Sequence, residues 1–427
     1  MTRIIHTADW HLGARLIDCD RHDEHRAFLD WFLIQLAELR PDLVIVAGDI
    51  FDGATPPQEA LKLYYSFLGR LAAGTGALSQ PSPLDGMDAT KTRCRTLILG
   101  GNHDSPATLH APRDVLRALD VRVIASPPDD PADGLLEFAD AVVCAVPYLR
   151  ERDVRTAAPG QSADEVAAAI RTGVGRYYRQ VHDLARTKAA GRLLVATGHL
   201  TVVGSDKSPG ERPIHIGNLG AVEVACFAGF AYTALGHIHR PQRINGDDRV
   251  RYAGCPIPLS FAEVDLAKEI RVIDIAAGQL AQRAISIPVF RPLKRISATA
   301  ATLATELARH QGAPGDSLLP WVELTVTDGR SHPDLDRQVH EAAADLRLRV
   351  LKVLAPASLS DSATTGNTAP PPSLNDLRPE DVFTERLRRE QIDPDSTDGQ
   401  TLALTFAELL SGMQDMDPAE KTQEVDT

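Results

Sequence analysis

The sequence predicts an α/β fold in which two sheets pack face to face with helices outside, followed by a small α/β unit and a helical C-terminal tail. Three observations carry this. Apolar, β-rich runs recur at Ile4-Ile5, Leu43 to Ala47, Leu97 to Leu99 and Leu193 to Ala196, with a weaker one at Tyr232 to Leu235. Stretches of helical period lie between some of them. Each run leads into a short polar cluster, and in α/β folds sites are built in the crevice outside the carboxyl ends of the strands.

In chain order, Arg3 to Ala8 opens the first strand. Arg21 to Leu39 is helical, with Phe28, Trp31, Phe32, Leu36 and Leu39 near a 3.6-residue spacing, and makes a crossover to Leu43–Ala47. Ala73 to Arg93 is rich in Gly, Pro and Ser and reads as a surface insertion. Ser162 to Ala190 is a long helix with Ser162 as N-cap and Glu165 three residues on. After His239 the pattern turns to strands at Arg249–Ala253, Glu269–Asp274 and Ala281–Ile287. Pro288 to Pro292 marks a boundary, so residues 1–290 form one domain. Residues 291–356 form a second, with a strand near Lys294, a helix Ala300–His310, a strand Trp321–Thr327, a helix Asp334–Leu346 and a strand Arg349–Leu354. Residues 357–427 are a linker (Pro356 to Ser373) and tail. The tail holds two short apolar-periodic segments, Val382–Leu387 and Leu402–Leu410, and turns acidic and disordered from Gly412.

A chain of 427 residues suits two or three domains. The net charge is −13, but Leu374 to Thr427 alone carries fourteen acidic and five basic residues. The body is therefore close to neutral. It shows no strong basic stripe, so affinity for a polyanion would lean on a partner. No apolar run reaches membrane-span length and no secretory signal is seen, so a cytoplasmic protein is expected. Cys19, Cys94, Cys144, Cys226 and Cys255 are odd in number, widely spaced and without a C-x-x-C pair, which fits reduced thiols.

The chemistry lies in five clusters: Asp9-Trp10-His11, Gly48-Asp49-Ile50-Phe51-Asp52, Gly101-Asn102-His103-Asp104, Gly198-His199 and Gly236-His237-Ile238-His239. Two-metal hydrolytic sites hold their ions about 3.5–4 Å apart, so a ligand must bridge them. A carboxylate can do so, and Asp49, in the middle of the series, is the natural bridge. Imidazole and carboxylate donors suit Mn, Fe or Zn, and the clusters contain no cysteine. The preceding glycines fit tight turns close to the site. Taken singly, each cluster reads as a turn, a cap or a surface loop; the ordered set of five favours metal binding. His6, His22, His25, His110, His182, His215, His310, His332 and His340 fall outside the clusters and read as ordinary surface or core residues.

In this order the clusters resemble the calcineurin-like metallophosphoesterases, and within them the SbcD nuclease branch. The segments that carry the closer likeness are His6 to Gly13, Phe28 to Trp31, Val46 to Asp52, Ala234 to Arg240 and Gly254 to Phe261; the last is not needed for metal binding. The resemblance implies a metallophosphoesterase sandwich with a capping domain. It implies one metal on Asp9, His11, Asp49 and His239 and a second on Asp49, Asn102, His199 and His237, with manganese preferred and magnesium possible. His103 would stand beside the metals as proton donor or transition-state stabiliser. Activity would be 3′–5′ exonuclease on double-stranded DNA and endonuclease on single strands and hairpins. The partners implied are the SbcC ATPase and DNA, with a homodimer of this subunit inside a heterotetramer and no membrane. Archaeal relatives carry a histidine where this chain has Asp52, a position three residues after the bridging Asp49; here its carboxylate is expected to orient His103, with a turn cap as the plain alternative. The tail reads either as a solvated acidic end or as a docking element for the ATPase. The apolar set Val382, Phe383, Leu387, Leu402, Leu404, Phe406, Leu409 and Leu410 favours docking, because short isolated helices are marginal in water. The alternative function is a stand-alone metallophosphatase or cyclic-nucleotide phosphodiesterase; a DNA-end-binding scaffold without activity is disfavoured by the intact ligand set.

Overall fold

A computed structural model of the chain describes residues 1–73, 94–155, 161–206 and 221–356, with Phe383, Arg386, Leu387, Ser396, Leu402, Thr405 and Phe406 beyond them. The expected insertion after Ala73, the linker after Pro356, His215 and most of the tail lie outside the described residues.

Two six-stranded sheets form the body. The first runs Gln279–Ser286, Glu269–Ala276, Thr2–Thr7, Leu43–Val46, Arg95–Leu99, Val121–Ile124. The last four strands are parallel, and Glu269–Ala276 joins them antiparallel. The second runs Gln242–Ile244, Asp247–Tyr252, Tyr232–Gly236, Leu193–His199, Ala141–Cys144, Leu135–Glu137, parallel through its four central strands. Alternation along each strand builds three layers. Ile4, Leu43, Ile45, Leu97 and Leu99 face the other sheet and meet Val143, Val195, Tyr232 and Ala234. Ile5, Val44, Val46 and Ile98 point outwards, under the helices His22–Leu39 and Gln58–Ala72. On the far side, Val142, Cys144 and Ala196 pack beneath Ile170, Val174 and Tyr178 of the helix Ala163–Ala189.

That last helix starts as its sequence directs: the Ser162 hydroxyl accepts from Glu165 N, and the Glu165 carboxylate accepts from Ser162 N. At the start of His22–Leu39 Arg21 offers no acceptor and turns its side chain inwards to Glu24, and it is the Asp20 carboxylate that accepts from His22 N, at 3.2 Å. His6 lies between the sheets, with one ring nitrogen 3.0 Å from the Tyr232 hydroxyl and the other 3.1 Å from Leu235 O. Burial pulls its imidazole down to about 3, so it is a neutral core cross-link. The sequence reading does not foresee the helix Gln58–Ala72 or the short strands Val121–Ile124, Leu135–Glu137 and Ala141–Cys144.

A third, three-stranded parallel sheet follows, ordered Leu293–Ala298, Trp321–Val326, Arg349–Leu354. The helices Leu303–Arg309 and Leu335–Ala343 are shorter than expected and cover it through Leu303, Leu307 and Val339. Its seat is a buried cluster. The Trp321 ring is flanked by the Arg21 and Arg291 guanidinium groups, 5.6 and 4.2 Å from its centroid. Both arginines pair with the buried Glu24 carboxylate, at 2.7 and 2.9 Å. Residues 1–356 form one compact unit and 357–427 another. In the second, the described positions of both expected apolar segments are helical, and the Phe383 and Phe406 rings stack with centroids 4.2 Å apart. No described helix is long and apolar enough to cross a membrane, and the five cysteines are free thiols.

Trp10 anchors the first polar loop to this frame. Its ring is buried among Phe28, Phe32 and Phe67, and its indole N–H donates to Thr7 Oγ1 at 3.1 Å. Trp10→Ala is expected to cost about 3–5 kcal/mol, read from urea unfolding. A loss below about 1 kcal/mol would mean that the loop is held by its main-chain bonds alone.

Candidate metal centre

Every cluster lies at the carboxyl end of a parallel strand, and the two sheets bring these ends together. Asp9 and His11 follow Thr2–Thr7, Asp49 follows Leu43–Val46, and Asn102 and His103 follow Arg95–Leu99. His199 ends Leu193–His199, and His237 and His239 follow Tyr232–Gly236. The first two loops run side by side: Asp9 N donates to Gly48 O, His11 N to Asp49 O and Leu12 N to Ile50 O, at 2.9–3.0 Å. Asp9, His11, Asp49 and His237 all have positive φ, a conformation that costs energy for residues with a Cβ. Gly48 and Gly101 do allow the expected close approach, since a Cβ there would collide with the His199 ring and the Asp49 carboxylate respectively. Gly198 lies within a strand and Gly236 at the end of one, and neither in the expected turn, but the close approach holds at both: a Cβ would collide with the Tyr178 hydroxyl and with Ala47 O respectively.

The side chains converge around Asp49. Its Oδ2 lies 3.2 Å from His199 Nε2 and 3.6 Å from His11 Nε2, and its Oδ1 accepts from His103 N at 2.9 Å. Asp9 Oδ1 accepts from His237 N at 2.8 Å. Asn102 Oδ1 sits 2.9 Å from both His199 Nε2 and His237 Nδ1. The His11 and His239 rings are 4.9 Å apart between centroids. Two groups, Asp9-His11-Asp49 and Asp49-His199-His237, have their donor atoms within 4.8 Å of one another and share Asp49.

The donor set fits cations. His199 Nδ1 faces Ala47 O at 2.8 Å, a pure acceptor, so Nδ1 carries the proton. In the neutral ring, Nε2 then turns a lone pair towards Asn102 Oδ1 and Asp49. His11 repeats the pattern, with Nδ1 held by Asp52 Oδ1 at 3.1 Å and Nε2 facing Asp49. Among the described residues, the buried Asp9 Oδ2 and His11 Nε2 have no hydrogen-bond partner. Acceptors facing acceptors in a buried place are satisfied by a cation.

Electrostatics agree. Burial pushes the Asp9 carboxyl up to about 6, against the pull of His199 and His239. Asp49 is also penalised by burial, but His199, through charge and hydrogen bond, and His11 hold it well below the carboxylate range. Burial lowers the His199 imidazole, yet Asp49 and Asp9 more than offset this and raise it to about 9.

Asp52 lies within reach of His103 as expected, since its carboxylate and the His11 and His103 rings have donor atoms within 4.8 Å of one another, but the bonds it makes differ from the expectation. Its carboxylate bonds to His11, and it is its main-chain oxygen that accepts from His103 Nδ1, at 2.8 Å. The loop turns so that the carboxylate of Asp52 reaches back to the first cluster. Two further residues hold the site: Asp104, which belongs to the third cluster but has no role assigned from the sequence, and Glu263, which lies outside the clusters. The buried Asp104 carboxylate accepts from Ile50 N, Phe51 N and Gly101 N at 2.9–3.1 Å and so ties the second loop to the third. Burial and the nearby Asp49 raise it to about 6. Glu263 Oε1 lies 3.6 Å from His239 Nδ1. Burial raises its carboxyl, but His239 and Lys268 outweigh this and hold it at about 2. The only sequence signal for Glu263 is its place just after the Gly254 to Phe261 segment.

Asp49→Ala is expected to weaken divalent-metal binding at both positions while far-ultraviolet circular dichroism stays unchanged, because the residue sits at a strand end and outside the core. Calorimetry showing two ions bound at wild-type affinity would take Asp49 out of the bridging place. Metal affinity is also expected to rise with pH across the neutral range. A proton held on His199 must leave before its Nε2 can bind a cation. Affinity that stays flat between about pH 6 and 8 would exclude His199 as a ligand.

Residues 2–241 match the calcineurin-like phosphoesterase family, and residues 289–391 match the family described as type 5 capsule protein repressor C-terminal domain. Curated relatives cover most of the chain. The SbcD subunit of the SbcCD nuclease of Escherichia coli K12 is 33% identical over 398 residues, 92% of this chain and 94% of that one. The protein of the same name in Rhodobacter capsulatus is 34% identical, over 89% and 93%. That of Bacillus subtilis is 30% identical, over 65% and 67%. The chain therefore belongs to the calcineurin-like phosphoesterases, in the SbcD nuclease family, and is a phosphodiester hydrolase that uses divalent metals.

Proposed function

We propose that the chain is a DNA nuclease acting as the catalytic subunit beside an SbcC-type ATPase in DNA end processing, repair and recombination. One observation carries this reading: the likeness to SbcD nucleases extends over 92% of the chain, through the third sheet and beyond the phosphoesterase part. A stand-alone phosphatase has no use for those further parts. The reading includes double-strand 3′–5′ exonuclease and single-strand or hairpin endonuclease activity, manganese as the working metal, and a homodimer of this subunit within a heterotetramer in the cytoplasm. Residues 291–356 would act as the cap that shapes access of DNA.

In this reading Asp9, His11, Asp49 and His239 hold one ion, and Asp49, Asn102, His199 and His237 the other. When bound, such a pair lowers the pKa of water and offsets the charge that builds on the phosphate oxygens. The chain's own part is to place groups around the phosphodiester. His103 N is fixed on Asp49 Oδ1 and its Nδ1 on Asp52 O, which leaves Nε2 to face the substrate. Its ring stands edge-on to His11 at 5.0 Å, beside the ligands. From there it can give a proton to the leaving 3′ oxygen or stabilise it.

The test is a cleavage assay on hairpin DNA with Mn, with and without the co-purified ATPase and ATP. Cleavage of the hairpin, raised by ATP, is expected. Turnover of p-nitrophenyl phosphate or cyclic nucleotides with no action on DNA would overturn the reading. His103→Ala is expected to cut turnover by about 10²–10⁴-fold with both metals retained in anomalous scattering. Loss of one ion would make His103 a ligand. Deleting residues 374–427 is expected to spare Mn-dependent cleavage of single-stranded DNA, since all seven proposed ligands precede residue 240, and to weaken pull-down of the ATPase. Undiminished complex formation would reduce the tail to a solvated appendage.

A further inference from the structure

His239, Cys255 and Glu263 form a further group whose donor atoms lie within 4.8 Å of one another. It has the composition of a metal site, yet a cation already stands in it. Lys268 Nζ is 2.6 Å from Glu263 Oε2 and 3.0 Å from Cys255 Sγ, and it also donates to His239 O at 3.3 Å. The Lys268 and Glu263 side chains are only 6% and 2% exposed, so this is an internal ammonium–carboxylate pair and not a surface bridge. The other contacts of Glu263 converge on the same oxygen: Cys255 Sγ and Leu259 N donate to Oε2 at 3.3 and 3.4 Å. That leaves Oε1 for the His239 ring, 3.6 Å from Nδ1.

We propose that Glu263, fixed by Lys268, is the positioning residue for His239: it holds Nδ1 so that Nε2 is aimed at the metal centre. The inference rests on the reading of His239 as a metal ligand. A metal-binding imidazole commonly donates its second ring N–H to a carboxylate, which fixes the tautomer and ring angle and raises the basicity of the ligating nitrogen. Here the carboxylate is buried and would be costly alone. The lysine neutralises it and binds the main chain of the same histidine, so ring and backbone are held from one point. The clamp stands where the chain passes from one sheet to the other: Cys255 follows a strand of the second sheet, Glu263 ends the one-turn helix Phe261–Glu263, and Lys268 precedes a strand of the first.

The test uses the full chain in two variants. Glu263→Gln leaves Lys268 buried without its anion and can unfold for that reason. Glu263→Gln combined with Lys268→Met removes both charges at similar volume and decides the matter. Manganese is titrated by calorimetry, with electron paramagnetic resonance to distinguish the two ions. In the double variant, one ion is expected to bind about 10–100-fold more weakly and the other as in wild type, with a melting temperature close to wild type. Both ions bound at wild-type affinity would overturn the proposal. Nitrogen-15 spectra of the Mg-loaded wild-type chain give a reading without substitution: the proton is expected on His239 Nδ1, and an unprotonated Nδ1 would overturn the proposal equally. If the wild-type chain itself binds fewer than two ions, it is the metal-centre reading that fails.

Discussion

Two carboxylates that cannot be left alone organise this molecule. Asp9 and Asp49 are both fully buried where the carboxyl ends of two sheets meet. Isolated, each would be expensive, and together they repel. The surroundings answer with positive charge or its equivalent. Main-chain N–H groups of His237 and His103 point at them, and the His199 and His11 rings crowd against Asp49. Both sheets are needed for this, because Asp9 and Asp49 come from the first and His199, His237 and His239 from the second. The face-to-face packing of Ile45, Leu97, Val195 and Ala234 is thus what sets the spacing of the centre.

The parts of this that were legible in the sequence are local. Each β-rich run and the polar residues after it are neighbours in the chain, so the strand end and its ligands are read together. The Ser162–Glu165 cap spans a single turn and is as plain in the sequence as in the structure. What stayed hidden depends on distant partners. Asp104 meets Ile50 across 54 residues, and Asp52 chooses His11 across 41. Nothing in the run Gly48 to Asp52 says which way the last carboxylate turns. Strands of three or four residues such as Leu135–Glu137 and Ala141–Cys144 are too short for alternation to declare itself.

The third sheet is joined to the body close to this centre. Trp321 sits on Arg21 and Arg291, and Arg21 also donates to Pro258 O at 2.8 Å. Phe261, at the start of the turn that ends in Glu263, packs with Leu293 and Trp321 of that sheet. The seat of the third sheet and the turn beneath His239 are therefore one piece of packing. A displacement of that sheet has a short mechanical route to a candidate ligand, through Phe261 and the neighbouring Arg295–Asp265 pair.

The left-handed backbone at Asp9, His11, Asp49 and His237 has a consequence for descent as well as for mechanism. Four residues with a Cβ are held in a conformation that glycine or asparagine adopts more cheaply. Only the side-chain chemistry keeps them there. In a lineage released from selection on hydrolysis, substitution by glycine at these positions would relieve both backbone strain and buried charge. The first marks of an inactive descendant would then be written at these four positions and not in the hydrophobic layers.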